Sequence, residues 1–405
     1  MNYSEFLKMG PEIALVLALV IMFVADFILH KKESKSKSLF SLMVALMVIS
    51  LCGTFCTVGS HSEPVSAFGG LYIATPAVNV MKSILVFGSL IVVLMAQPWV
   101  EKTQRLAGEF YMLLISTLLG MFVMMSSGNF LLFFLGLETA SVPLACMVAF
   151  DKWKQNSAEG AAKYILVATF SSGVMLYGIS FLYAATGTLY FDDVAATISA
   201  SPLTIMGLVF FFSGLGFKIS LVPFHFWTAD TYEGAPTPVT GYLSVISKGA
   251  AAITLCIILM KVFQPLVYYW EYMLYIVIVL SITVANLFAI RQSELKRFMA
   301  FSSISQAGYI MLAVVGNSQL GIASLTYYVL VYIVANMAVF TVINVVEHRA
   351  QPMANGQSLT AISAYNGFYQ TNPKLSFLMT LALFSLAGIP PFAGLFSQFF
   401  GFMAA

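Results

Sequence analysis

Residues 214–248 read GLGFKISLVPFHFWTADTYEGAPTPVTGYLSVISK, and the build of the chain follows from this stretch. An apolar run carrying Lys218 breaks at Pro223, crosses a polar insert and enters a second apolar run carrying Lys248. A lysine at the centre of a helix in hydrocarbon costs about 2.5–3.5 kcal/mol on insertion scales. Two of them, flanking a proline-broken segment, point to an internal ion pathway. The rest of the chain must then supply their partners.

Composition makes hydrocarbon the medium. The 405 residues are 60% hydrophobic and 9% charged, where a soluble domain carries about 25% charged residues. Mean hydropathy is +0.90. The apolar runs are continuous, unlike the short alternating segments of a membrane β-barrel. The expected fold class is an all-α polytopic membrane protein. Runs of about 20 apolar residues cross a bilayer, and they fall near 12–30, 39–59, 78–97, 109–127, 129–149, 160–185, 203–222, 237–262, 270–290, 297–315, 320–346 and 375–403. That is about twelve transmembrane helices. The first ends in HKKESKSK (30–37), a stop-transfer pattern with no preceding cleavage site.

Basic residues give the orientation. Alternate loops hold Lys31, Lys32, Lys35, Lys37, Lys102, Arg105, Lys152, Lys154, Lys163, Arg291, Lys296, Arg297, Arg349 and Lys374, against Lys8, Lys82 and Lys261 on the other side. The N-terminus is expected outside. A short amphipathic helix is expected outside between 187 and 203, and a polar cytoplasmic loop at 350–373. The segment HFWTADTYEGAPTPV (225–239) has no Lys or Arg. It suits a re-entrant or half-buried element, which lipid tolerates only where protein or a cavity surrounds it. A second run, LAGIPPFAGLFSQFFGF (386–402), is broken at Gly388, Pro390 and Pro391. Paired interruptions of this kind mark inverted-repeat transporters and their sites. The expected organisation is 1–108 for helices 1–3, 109–262 for a first inverted unit and 263–405 for a second.

Glu138, in the middle of the run 126–150, cannot snorkel far and is the natural partner of Lys218. A lysine between a carboxylate and a desolvating environment can change protonation, as a proton carrier must; the bland alternative is a structural ion pair. Lys248 has small neighbours that leave room for water, or for close helix packing alone. His225 fits a helix cap as well as a relay. Lys163, four residues after Glu159, reads as an anchoring pair. Ser244, Ser247, Ser302, Ser303, Ser305, Gln306 and Tyr309 can support a hydrated wire, though each alone is a packing residue by default. Cys52, Cys56, Cys146 and Cys256 lie inside apolar runs without metal-ligand company. Nucleotide, zinc-protease and haem-attachment motifs are absent from the sequence. No nucleic acid is expected as a partner.

LGLETASVPL (135–144), AEGAAKYILVATFSSGVMLYGISFLY (158–183), the run 216–251, LKRFMAFSSISQAGY (295–309) and SLAGIPPFAGLF (385–396) together resemble the antiporter-like subunits, of the N class, of proton-pumping NADH:quinone oxidoreductase. The resemblance implies fourteen helices in two inverted five-helix repeats with helices 7 and 12 broken. It also implies a lateral chain of proton-transfer residues running from Glu138 through Lys218 to Lys248. Two positions depart from it: Gln398 stands where the family has a twelfth-helix lysine, and Gln306 where it commonly has histidine. The resemblance further implies two helices beyond Ala405. It places NAD, FMN, iron–sulfur clusters and quinone on other subunits and no cofactor on this chain. The implied partners are other membrane subunits, paralogous and small, within a bacterial inner membrane. A Mrp-type cation/proton antiporter subunit and a structural subunit without pumping are the competing expectations.

Overall fold

The computed structural model of the chain describes residues 3–29, 35–60, 63–102, 106–349 and 359–405. Lys31, Lys32, Arg105 and residues 350–358 of the expected 350–373 loop lie outside the described residues. The helices are α1 (Gly10–Ile28), α2 (Lys35–Ser60), α3 (Pro76–Lys102), α4 (Ala107–Met125), α5 (Phe130–Val148), α6 (Gln155–Thr186), α7 (Phe191–Thr197), α8 (Pro202–Ile219), α9 (Trp227–Gly234), α10 (Thr237–Tyr242), α11 (Lys248–Lys261), α12 (Val267–Ile290), α13 (Leu295–Val315), α14 (Gln319–Arg349), α15 (Phe368–Thr371), α16 (Pro373–Leu386) and α17 (Ala393–Ala404). A small antiparallel hairpin, β1 (Val65–Ala67) and β2 (Tyr72–Ala74), sits between α2 and α3 and pairs Val65 with Ala74. Among the described residues, eleven helical segments are long and apolar enough to cross a membrane. The chain is a multi-pass membrane protein.

The two predicted interruptions share a local design. α8 ends at Ile219, three residues short of the predicted end, and Ser220 takes φ +67°. The twelfth run is not one helix. It is α16 and α17, separated where Gly388 takes φ +71°. In each case a left-handed residue is followed three positions later by a proline, Pro223 or Pro391, and the peptide bond before that proline is cis. Proline lacks the N–H that would continue a helix. Glycine accepts the left-handed turn freely. At Gly388 a Cβ would also run into the amide of Gln398.

The chain forms two compact units. The first takes residues 1–147, 165–218 and 249–273. In it, α1 packs on α2 and α4, and α2 on α3. Between α4 and α5 the backbones nearly touch: a Cβ at Gly120 would strike the backbone of Thr139 and Ala140, and one at Gly136 the backbone of Met124. Small residues permit such approach, and dispersion then holds the helices together where lipid offers no hydrophobic drive. An edge-to-face cluster joins Phe130 to Phe191 at 4.9 Å and to Phe211 at 5.5 Å.

The second unit takes residues 148–164, 219–248 and 274–405. Here α13 is central, against α9, α14 and α17, while α14 also meets α10 and α16. The insert 225–239 is half-buried as its composition suggests: α9 buries Trp227, Thr228, Thr231 and Tyr232. The amphipathic segment expected between 187 and 203 is α7.

Lys82 corrects the sequence reading. Its charge counts toward the outer side in the orientation reading, but it lies in the seventh position of α3 with no exposed surface and bonds Glu12. Its distant partner Glu12 explains its place.

Gly120→Val is expected to lower the stability of the detergent-solubilised chain by about 1–3 kcal/mol, the usual cost of overpacking. Thermal unfolding followed by intrinsic fluorescence measures it, with an equal substitution at Gly173, which has open space around it, leaving the midpoint nearly unchanged.

Candidate functional site

In the first unit, α5 and α8 present Glu138 and Lys218. The Lys218 ammonium is buried, 3% exposed, and donates to Ser141 Oγ at 2.7 Å. Ser141 donates onward to the Leu137 carbonyl at 2.6 Å. Glu138 stands one turn earlier on α5, half-buried, close enough for its charge to act on Lys218. Its Oε1 accepts from Ser172 of α6 at 2.5 Å. The carboxylate and the ammonium are thus both held by hydroxyls, Ser172 and Ser141.

In the second unit Lys248 is 2% exposed and donates to Ser303 Oγ at 2.6 Å. The face of Tyr232 lies 5.4 Å from its Nζ, a cation–π contact of the kind worth about 2 kcal/mol when desolvated. Ser303 is a hub. Its oxygen faces Lys248 and, at 3.2 Å, the Tyr232 hydroxyl, and its own proton points to the Ser244 carbonyl at 3.4 Å. Asn336 donates to Ser244 Oγ at 2.5 Å. Lys248 follows directly on a wide π-type turn, Leu243–Ser247, a distortion often found at functional sites. Ser247 and Ser305, expected along the wire, are buried on the same elements.

His225 lies in the first break, buried, its ring 4.6 Å from Phe226 and its Nδ1 without a partner among the described residues. Ser281 of α12 accepts the Val222 N–H at 2.9 Å. The second break is closed from the other side: Gln306 of α13 donates to the Leu386 carbonyl at 2.9 Å. Tyr328 of α14 donates to the Gln306 oxygen, and Gln398 lies within hydrogen-bonding reach of the same hydroxyl. Gln306, Tyr328, Tyr332, Ser385, Ser397 and Gln398 line a narrow cleft of about 10 Å³ with no charged side chain in its lining. Pro390 and Pro391 are exposed beside it.

A charged network completes the second unit. Lys163 bonds Glu159 as its spacing predicts, and also Asp230, both at 2.6 Å. Arg297 bonds Asp230 at 2.6 Å and Glu233 at 2.7 Å. Glu159, Asp230, Glu233 and Arg297 border a polar cavity of about 200 Å³. Burial alone would raise the Asp230 carboxyl, but the hydrogen bonds from Lys163 and Arg297 hold it below its ordinary value. Sequence reasoning missed Tyr232, Asn336, Tyr328 and Asp230, because spacing along one helix cannot show partners on another.

The family model described as NADH:quinone oxidoreductase/Mrp antiporter, TM, matches residues 127–405. The chain belongs to this family. It is 55% identical over its whole length, and over 84% of the relative, to NADH-quinone oxidoreductase subunit N of Phocaeicola vulgatus. With the subunit N of Azobacteroides pseudotrichonymphae it shares 48% over its full length and 83% of that protein. Among solved structures, respiratory complex I from Thermus thermophilus with bound aureothin superposes with TM-score 0.81 at 29% identity, over 98% of this chain and 82% of that one. A chain of the Mrp complex from Dietzia, at 20% identity and the same TM-score of 0.81 over 97% of this chain and 74% of that one, shares the family fold.

The Asp230 network fixes a pH dependence. A carboxyl held low in the folded chain stabilises it fully above the unfolded value, about 3.9. That contribution is lost as pH falls through the lower folded value. Acid unfolding of the solubilised chain should therefore show a stability loss on the acid side of the usual carboxylate range, and Asp230→Asn should remove that component while lowering stability at neutral pH.

Proposed function

We propose that the chain is a proton-translocating membrane subunit of an NADH:quinone oxidoreductase, performing no electron transfer itself. The observation that carries this reading is the pair of buried lysines, Lys218 and Lys248, each donating to a serine hydroxyl inside a membrane-spanning bundle. Desolvation favours a neutral amine and a nearby carboxylate charge favours the ammonium, so a lysine set between them can exchange its proton. Lys218 has the charge of Glu138 nearby as its control. Redox chemistry on other subunits would alter the Glu138–Lys218 interaction and move the Lys218 proton toward Lys248, with Ser303, Tyr232, Ser244 and Asn336 forming the onward hydrogen-bonded path. His225, in the first break, is a further relay group on this reading. The relatives named as subunit N support it over a Mrp-type antiporter, whose likeness here is one of fold.

The two broken segments support reading residues 109–262 and 263–405 as inverted repeats. Their breaks match in the order left-handed residue, then proline, but at Gln306 and Gln398 the second carries amides, so no lysine stores charge there. NAD, FMN, iron–sulfur clusters and quinone belong to partner subunits on this reading, and the complex sits in the bacterial cell membrane with this chain's N-terminus outside.

In the intact complex reconstituted into vesicles, Lys218→Met and Glu138→Gln should each cut protons moved per quinone reduced several-fold, with the complex assembled. Unchanged coupling in Lys218→Met would defeat the role given to that residue.

A further inference from the structure

Glu12 and Lys82 form a buried ion pair that the path above does not use. Lys82 Nζ lies 2.6 Å from Glu12 Oε1, with side-chain exposures of 0% and 4%. Tyr72 of β2 bridges the two: its hydroxyl donates to Glu12 Oε2 at 3.1 Å and accepts from Lys82 at 3.2 Å. Ser126 donates to Glu12 Oε1 at 3.4 Å. The rings of Tyr72 and Phe122 stand 5.3 and 5.5 Å from the ammonium. All four polar groups belong to the first unit.

An ion pair this dry is a poor stabiliser. Desolvating two charges usually costs as much as their attraction returns, and well-packed apolar side chains in their place are often as stable or more so. Ionisable groups at membrane depth are rare and tend to mark proton or ion routes. The second observation is the space beside the pair. Tyr72 also forms one wall of a cavity of about 40 Å³, whose polar lining includes Lys8, Thr57 and Asn79. A water needs about 10–15 Å³ of such space, so the cavity is large enough to admit water. Its other walls are Leu7, Gly10 and Pro11, at the N-terminal end of α1. Lys8 closes one side by donating to the Ser66 carbonyl of β1 at 2.8 Å. Glu12 thus bonds Tyr72, and Tyr72 borders the cavity.

We propose that Glu12, Tyr72 and Lys82 form a second proton-exchange site, which releases translocated protons into the cavity at the N-terminal face of the chain; this rests on the proton-translocating reading above. When Glu12 is protonated, its O–H donates to the Tyr72 oxygen and the Tyr72 hydroxyl proton turns from Glu12 to a cavity water; in the release step the Glu12 O–H bond breaks and a new O–H bond forms at Tyr72. The original hydroxyl proton of Tyr72 joins a cavity water at the same time. The carboxylate left behind is neutralised by the ammonium of Lys82, which keeps its own proton throughout. Tyr72 ends as it began, and the water becomes a hydronium ion.

The test uses the intact complex in vesicles. Tyr72→Phe keeps the ring that packs on Lys82 and removes only the hydroxyl; Glu12→Gln combined with Lys82→Met removes both charges together, so that neither is left buried alone. The expected result is a several-fold loss of protons moved per quinone reduced in both variants, with quinone reduction retained. A transient carboxylic-acid carbonyl band in infrared difference spectra should be present in the unaltered complex and absent in Glu12→Gln. A merely structural pair would not produce that band. Unchanged proton yield in Tyr72→Phe and in the double variant, with Lys218→Met still defective, overturns this site and leaves the proposed function standing. Unchanged yield in all three overturns both.

Discussion

Hydrocarbon offers no hydrogen bonds, so every backbone group freed by a helix break must find a partner within the protein. The two breaks depend on this constraint. At the first, the Val222 N–H is taken by Ser281 Oγ, and at the second the Leu386 carbonyl is taken by Gln306. Each partner sits on an unbroken helix, α12 or α13. The same constraint governs the charges. Lys218, Lys248 and Lys82 are each placed where a hydroxyl, a ring face or a carboxylate can receive them. The intact helices are therefore more than a wall. They supply the polar groups that make broken helices and buried ammoniums tolerable.

Much of this was legible in the sequence. A run of about 20 apolar residues has one cheap conformation in lipid, so the spans were readable almost to their ends. Gly388 and Pro390–Pro391 announced the second break, and Pro223 the first. The left-handed turn at Ser220 was not legible, since a serine there carries no signal of its own. Lys218 and Lys248 stood out because of their cost.

Their partners did not stand out. Ser303 is one serine of several on α13, and only the fold selects it as the hub. Tyr232 and Asn336 look like ordinary packing residues until α9 and α14 bring them beside Lys248 and Ser244. Lys82 shows the same limit. Its partner Glu12 lies 70 positions earlier, and nothing in either neighbourhood points to the other. Gln306 shows the limit from another side. By resemblance it replaces a titratable group, yet in the structure it also has a plain structural duty at the second break.

The wide turn at Leu243–Ser247 has one more effect. A π-type turn holds an extra residue in its coil, which displaces the helical register by about 100°. The segments on either side of it, Thr237–Tyr242 and Lys248–Lys261, are therefore angularly out of phase, as two gears are when one tooth is added between them. Lys248 is the first residue on the far side. Its bearing toward Ser303 is set by the added tooth and not by the residues around it. The length of this turn then matters as much as its sequence: loss of Leu243, Val245 or Ile246 would keep every side chain of the path and turn Lys248 toward different neighbours.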